Sequence, residues 1–391
     1  MQHIYRVILA TACCAVAALS VLAASAPQTR YRATVLSSAG AAGNSIDDLG
    51  LVGGSYVTAG NALHAAVWAF GRQIDLGTLG QGAGLSSRVQ WPVKNVLGLV
   101  SGISLTDALD PNQEGWSCGF FLNNPNFNVC RGFLWDPVTR RMHPLPTLGG
   151  TNGFATGTND LGETVGWAEN TVHDPSCILP QVLQFLPVVW GPQPGAIHAL
   201  PLVAGDSSGA ATAINDHGQI VGISGSCGFA VGGPTARNAV LWDNGTLTVL
   251  VNPNGAPFWN TPMMLSELGD VVGFAGVPGD AAGNFTPPFL WTRARGWQFL
   301  PLLAGDIAGV ATSINYSRQV VGYSNDAIPN FHPWIWQNGV LTNLNALIEP
   351  GSLLTGPMQL AFDINDEGEI TGVTTTGQAI VLTPITRDDD R

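Results

Sequence analysis

Residues 211–224 read ATAINDHGQIVGIS. Two short apolar runs flank the tetrad Asn215-Asp216-His217-Gly218. Asn and Asp side chains bond their own backbone, and glycine takes positive φ without steric cost, so the tetrad predicts a tight turn inside a β-hairpin. Further on, NAVLW (238–242) and TLTVLV (246–251) predict two more strands around the turn Asp243-Asn244-Gly245. One unit is therefore four short strands, with no helical stripe of comparable length.

The hairpin phrase returns as DDLGLVGGS (47–55), NVLGLVSGIS (95–104), NDLGETVGWA (159–168), SELGDVVGFA (266–275), NYSRQVVGYS (315–324) and NDEGEITGVT (365–374). Its anchor glycines are Gly53, Gly102, Gly166, Gly222, Gly273, Gly322 and Gly372. A period of about fifty residues signals a repeat architecture. A tryptophan marks the third strand at Trp68, Trp135, Trp190, Trp242, Trp291 and Trp336, with Leu382 in its place in the seventh unit. That unit lacks a fourth strand, whereas YRATVLSS (31–38) is a strand with no unit of its own. Joining the ends completes a seventh sheet. The expected fold is all-β: a seven-bladed β-propeller of four-stranded blades, closed by the N-terminal strand pairing with the last blade.

Composition agrees with a folded, loop-rich body. Of 391 residues, 45% are hydrophobic and only 11% charged, with 49 Gly and 26 Pro. The net charge is −12 and Lys94 is the only lysine. No basic stripe is available for phosphates, which argues against nucleic acid and against anionic membrane surfaces. Residues 1–26 read as an export leader: a short basic start, an apolar run over 7–24, and small residues at 23–26 where cleavage is expected. The apolar run is nearly long enough to span a bilayer if uncut. Residues 27–386 form one propeller and 387–391 a charged tail, with no membrane insertion once the leader is gone and a monomer expected.

The motifs resemble the HAF repeat of probable bacterial extracellular proteins, named for a His-Ala-Phe triplet. The resemblance rests on DLGTLG (75–80), LPTLGG (145–150), the hairpin phrases, and HAAVW (64–68) and HPWIW (332–336) at the triplet position. Arg131, Leu186, Asn238, Pro287 and Gln378 replace the histidine elsewhere. The resemblance implies an exported repeat protein and brings no established activity or catalytic residues.

Chemistry is expected on the face where strands two and three are joined, because those loops vary most. The longest, 105–130, carries Trp116, Phe120, Phe121 and Phe127 among Asn123, Asn124, Asn126 and Asn128. Rings offer flat apolar faces and amides fix orientation, which suits a carbohydrate or protein ligand; equally, the rings can fold the loop onto its own blade. His64 and His332 flank the seventh blade and can line one sector with Gln378 and Arg131, although no acidic partner for a metal is visible beside them. Asp326 and His173-Asp174 are isolated charges on the same rim, and Asp160, Asp216, Glu267, Asp366 and Glu367 ring the opposite face. DPNQEG (110–115) starts like a calcium loop but has Phe121 where the bidentate acid belongs. Cys118 and Cys130 bracket one loop and are expected to pair, and Cys177 and Cys227 can pair between adjacent blades. No CxxC, HExxH or Walker loop occurs, so no metal, cofactor or catalytic set is expected. The reading is an exported, non-catalytic propeller that binds a glycan or protein through its long-loop face. The alternatives are a secreted polysaccharide hydrolase or lyase with its site at the channel mouth, and a structural envelope protein.

Overall fold

The computed structural model describes residues 29–92, 94–193, 195–228, 232–327 and 330–385, apart from the side chains of 115–117. The expected leader at 1–26 and tail at 387–391 lie outside the described residues. Within them are seven four-stranded antiparallel sheets, arranged as a β-propeller. Blade four is representative: Ser208–Ile214, Ile220–Gly225, Asn238–Asp243 and Thr246–Leu250. First strands such as Gly153–Thr158 are buried at every residue, while the outer strand of the same blade, Ile197–Ala199, is largely exposed. The first strands therefore form the inner wall. Stacking each blade on its neighbours is what buries the two faces of every sheet.

The ring closes as expected. The N-terminal strand Tyr31–Ser37 lies beside Ala379–Pro384, completing the seventh sheet. Tyr31 is buried, its N–H donates to the Leu347 carbonyl, and its own carbonyl accepts from the Glu349 N–H. The closing strand thus also holds the linker from blade six.

The register explains the repeat. In blades one to six the third-strand tryptophan sits opposite the first residue of strand two, as in Ile220 with Trp242 and Val320 with Trp336; Ile370 faces Leu382 in blade seven. Two residues further along strand two stands a glycine that no other residue can replace. A Cβ on Gly222 would lie 2.1 Å from the Ala210 carbonyl oxygen, and one on Gly322 2.1 Å from that of Val310. The equivalents in the other five blades fall between 1.9 and 2.3 Å. The register corrects one assignment: in blade one the equivalent glycine is Gly54, which faces Ala66, and not Gly53. Adjacent glycines at 53 and 54 leave the phrase without a unique anchor.

The turn asparagines do more than shape hairpins. Asn215 Oδ1 accepts from the backbone N–H groups of His217 and Gln219, while Nδ2 donates to the Ser266 carbonyl of blade five at 3.1 Å. Asn159, Asn315 and Asn365 reach the next blade in the same way. The acidic residues beside them are also occupied: Asp216 accepts from the Asp160 N–H, and Asp366 from that of Tyr316. The recurring Leu-Pro of the fourth strand has a related use. Trp190 Nε1 donates to the Pro146 carbonyl of blade two, and Trp242 Nε1 to that of Pro201 in blade three, both at 2.8 Å.

Two elements depart from the pattern. The first strand of blade two is only Ser87–Arg88. The long loop of the same blade contains a helix, Gly115–Phe121, that was not expected; two turns are too short to leave a periodic signal. Disulfides join Cys118 to Cys130 and, between blades three and four, Cys177 to Cys227. Among the described residues no helix is long and apolar enough to cross a membrane.

Candidate functional site

The long-loop rim distributes the expected site residues unevenly. In the longest loop, Phe121 is buried and packs edge-on against Trp91 and Phe154, so this ring anchors the loop to the blades. Phe120 is exposed and touches the edge of Phe121, with centroids 4.9 Å apart. Phe127 is partly open, and its carbonyl accepts from the Asp110 N–H. Asn123 is exposed. Asn124 closes its own loop, exchanging two 2.8 Å hydrogen bonds with the backbone of Asn128. The side chain of Trp116 lies outside the described residues. Asp326 is exposed and accepts from Asn330 Nδ2.

The histidines have acidic partners that the sequence did not reveal. His64 Nδ1 lies 3.0 Å from Asp75 Oδ1, in the fourth strand of its own blade. His332 Nδ1 lies 2.8 Å from Asp306 Oδ1, whose other oxygen accepts from Ser324. In blade four, Asn238 stands at the histidine position and donates to Asp206, with Ser224 again the second donor. In blades four and six the position is therefore a polar clasp between a linker aspartate and the start of strand three. Gln378 accepts from the Thr355 N–H inside blade seven, so these residues serve separate blades. Among the described residues, the one group of three metal-type donors is Asp174 with Cys177 and Cys227, and the disulfide consumes both sulfurs.

Beneath the longest loop lies a carboxylate cluster that sequence reasoning missed. Asp110, Glu114 and Glu169 are all buried. Asp110 Oδ1 accepts from the Asn112 N–H and Oδ2 from the Glu114 N–H, which shapes the turn of the DPNQEG segment. Glu114 Oε1 accepts from the Val182 and Leu183 N–H groups and so ties the long loop of blade two to that of blade three. Asn152 Nδ2 donates to Asp110 and Glu169, and Gln181 Nε2 to Glu114 and Glu169. Glu169 Oε2 also accepts from the N–H groups of Thr151 and Asn152. Every carboxylate oxygen has a donor, which is the requirement for a structural network. The sequence held one signal for Glu169: a carboxylate inside a strand, in a chain with few charges.

Burial, and then the Glu114 charge, push the Glu169 carboxyl up to about 7. The folded chain therefore keeps a proton that the unfolded chain releases near its ordinary value of 4.5. This group's contribution is fully present below pH 4.5 and is lost as pH rises through 7. The expected loss is about 3 kcal/mol. Glu114→Gln keeps the acceptor for Val182 and Leu183 and removes the neighbouring charge, so the decline should shrink and move to lower pH. Urea midpoints from pH 4 to 9 for both proteins check this, and identical profiles would refute the assignment.

A groove of about 1180 Å³ opens beside this cluster, between blades two and three. Leu109, Pro111 and Thr151 line it at the long-loop rim, and Gly162 and Pro192 at the short-turn face, so it runs the height of the propeller. Leu134, Pro144, Leu145 and Pro146 form an apolar wall. Trp190 also lines it, but that ring is only 2% exposed and offers no open face. Among the sequence-derived candidates, Arg131 lines this groove. Its Nη1 donates to Thr147 Oγ1 at 3.1 Å. Burial pushes the guanidinium down, and the Glu169 charge opposes that shift. Thr151 links groove and cluster directly, since its hydroxyl contacts both Asp110 and Glu169.

The sequence matches no family model and no curated protein. Solved structures resemble the chain in architecture. A catalytically inactive virginiamycin B lyase from Staphylococcus aureus, solved with quinupristin, is 10% identical with a TM-score of 0.52, over 92% of this chain and 100% of that one. The selenomethionine form of that lyase gives 0.51 at 10% identity, over 92% and 100%. A structure from a study of two prolyl endopeptidases gives 0.52 at 11% identity, over 92% of this chain and 50% of that one. At such identities the likeness establishes the fold, a propeller scaffold, and nothing about chemistry.

Proposed function

We propose that the chain is an exported, non-catalytic propeller of the HAF-repeat kind that binds a polypeptide in the groove between blades two and three, entered from the long-loop face. The observation that carries this reading is the groove itself. It exceeds the roughly 300–1,000 Å³ of sites that enclose a small ligand, which favours a segment of polymer. Its walls are aliphatic and proline-rich, and Trp190 is packed away, so a sugar ring finds no aromatic platform there. The two disulfides accord with an oxidising compartment. Glycoside hydrolysis needs a pair of carboxylates open to substrate, whereas Glu114 and Glu169 are buried and fully engaged and Asp136 is the single acid on the groove lining.

The test is a peptide library and a glycan array, each probed with the native chain and with Leu109→Asp. Leu109 is 66% exposed and lines the groove, so the change leaves the core alone. Peptide binding that falls at least tenfold in the variant, with thermal stability unchanged, is the expected result. Glycan binding indifferent to the variant would overturn the reading.

A further inference from the structure

We infer that the polypeptide seated in this groove carries a carboxylate and places it against Arg131. The inference rests on the groove reading above and adds the ligand's chemistry. Arg237, Arg293 and Arg318 each contact an aspartate, and Lys94 contacts Asp363. Arg88 and Arg131 are both withdrawn from water without such a partner, and of these two Arg131 lines the groove. Among the described residues its guanidinium contacts no carboxylate within 4 Å and makes one side-chain hydrogen bond, to a neutral hydroxyl.

A guanidinium has five N–H donors in a planar fork that matches a carboxylate. Partly withdrawn from water and left without that partner, it carries a desolvation cost that a ligand carboxylate would offset. Glu169 acts on it only at a distance, because the oxygens of Glu169 are held by Thr151, Asn152 and Gln181. The other ionisable groups on the lining, Asp136 and His143, belong to blade two's outer strands and the turn between them. The groove therefore offers an aliphatic trough with a cation near the long-loop rim. An extended segment with aliphatic or proline side chains and one acidic group complements both features. The acid can be a C-terminus or an Asp or Glu side chain, and the experiment separates the two.

A random dodecapeptide library is made in two forms, with free C-terminal carboxylates and with amidated ends, and both are selected on the intact protein. Selected peptides are then titrated calorimetrically against the native chain, Arg131→Gln and Leu109→Asp. The expected result is enrichment of free-acid peptides, or of amidated peptides that carry Asp or Glu, with at least tenfold weaker binding when the acid is amidated or replaced by its amide. That tenfold difference should vanish in Arg131→Gln. Peptides that bind equally well with and without the carboxylate, yet lose affinity in Leu109→Asp, would overturn the inference while leaving the groove reading standing. Recovery of no peptide, or binding indifferent to Leu109→Asp, would overturn the groove reading itself. Binding of acidic oligosaccharide through Arg131, in place of peptide, would also contradict the proposal.

Discussion

A chain lacking residues 31–37 is expected to lose its cooperative fold. The deleted strand is the fourth strand of blade seven and pairs with Ala379–Pro384 along its length. Without it, that strand becomes a bare edge, and the cluster of Tyr31, Leu344, Leu347, Met358, Ile364 and Leu382 opens to water. The linker at 347–349 loses both hydrogen bonds to Tyr31. An unpaired apolar edge also recruits other chains, so aggregation should accompany unfolding. Tyr31→Ala is the graded version. Removing a fully buried aromatic ring typically costs 3–5 kcal/mol, and the effect should appear as a lower urea midpoint with little change in slope. Near-native stability in either protein would mean that the ends do not close the ring.

Gly322→Val should be comparably damaging, for a local reason. Its Cβ would sit 2.1 Å from the Val310 carbonyl oxygen and 2.7 Å from the buried Trp334 ring in blade six. Backbone cannot yield there without breaking the pairing of the first two strands. A loss of about 5 kcal/mol is expected, at the upper end of what one substitution does. Gly245→Ala is the contrast: that glycine has open space around it but a φ of +75°, so only its conformational preference is at stake. About 1 kcal/mol is expected there. Equal melting temperatures for the two variants would show that close approach is not what fixes the repeat glycine.

The architecture was legible because its signals are local. Asn215 to Gly218 specify a turn by their own chemistry, Gly222 is required by one carbonyl a strand away, and the unpaired strand at 31–38 announces closure by counting. The histidine position was visible as a recurrence, but not its aspartate partner. Asp306 is 26 residues from His332 and meets it only once the blade has folded. The groove was less legible still. Pro111, Leu145 and Pro192 belong to different strands and loops of two blades, and nothing in their spacing says that they face one space. Glu114 was read as part of a degenerate calcium loop, and its link to residues 182 and 183 depends on two long loops meeting across a blade boundary. Long-range convergence of this kind has no periodic trace in a sequence.

The most direct test of the closed ring is the distance between residues 32 and 383. Arg32 and Thr383 are register partners, and both are exposed, so a nitroxide at each disturbs little. With Cys13 and Cys14 replaced by serine, labels on Arg32→Cys and Thr383→Cys should show strong dipolar broadening in continuous-wave electron paramagnetic resonance, as labels on adjacent strands do. Broadening should persist up to the unfolding midpoint and vanish there. A spectrum equal to the sum of the two singly labelled proteins under native conditions would contradict the account.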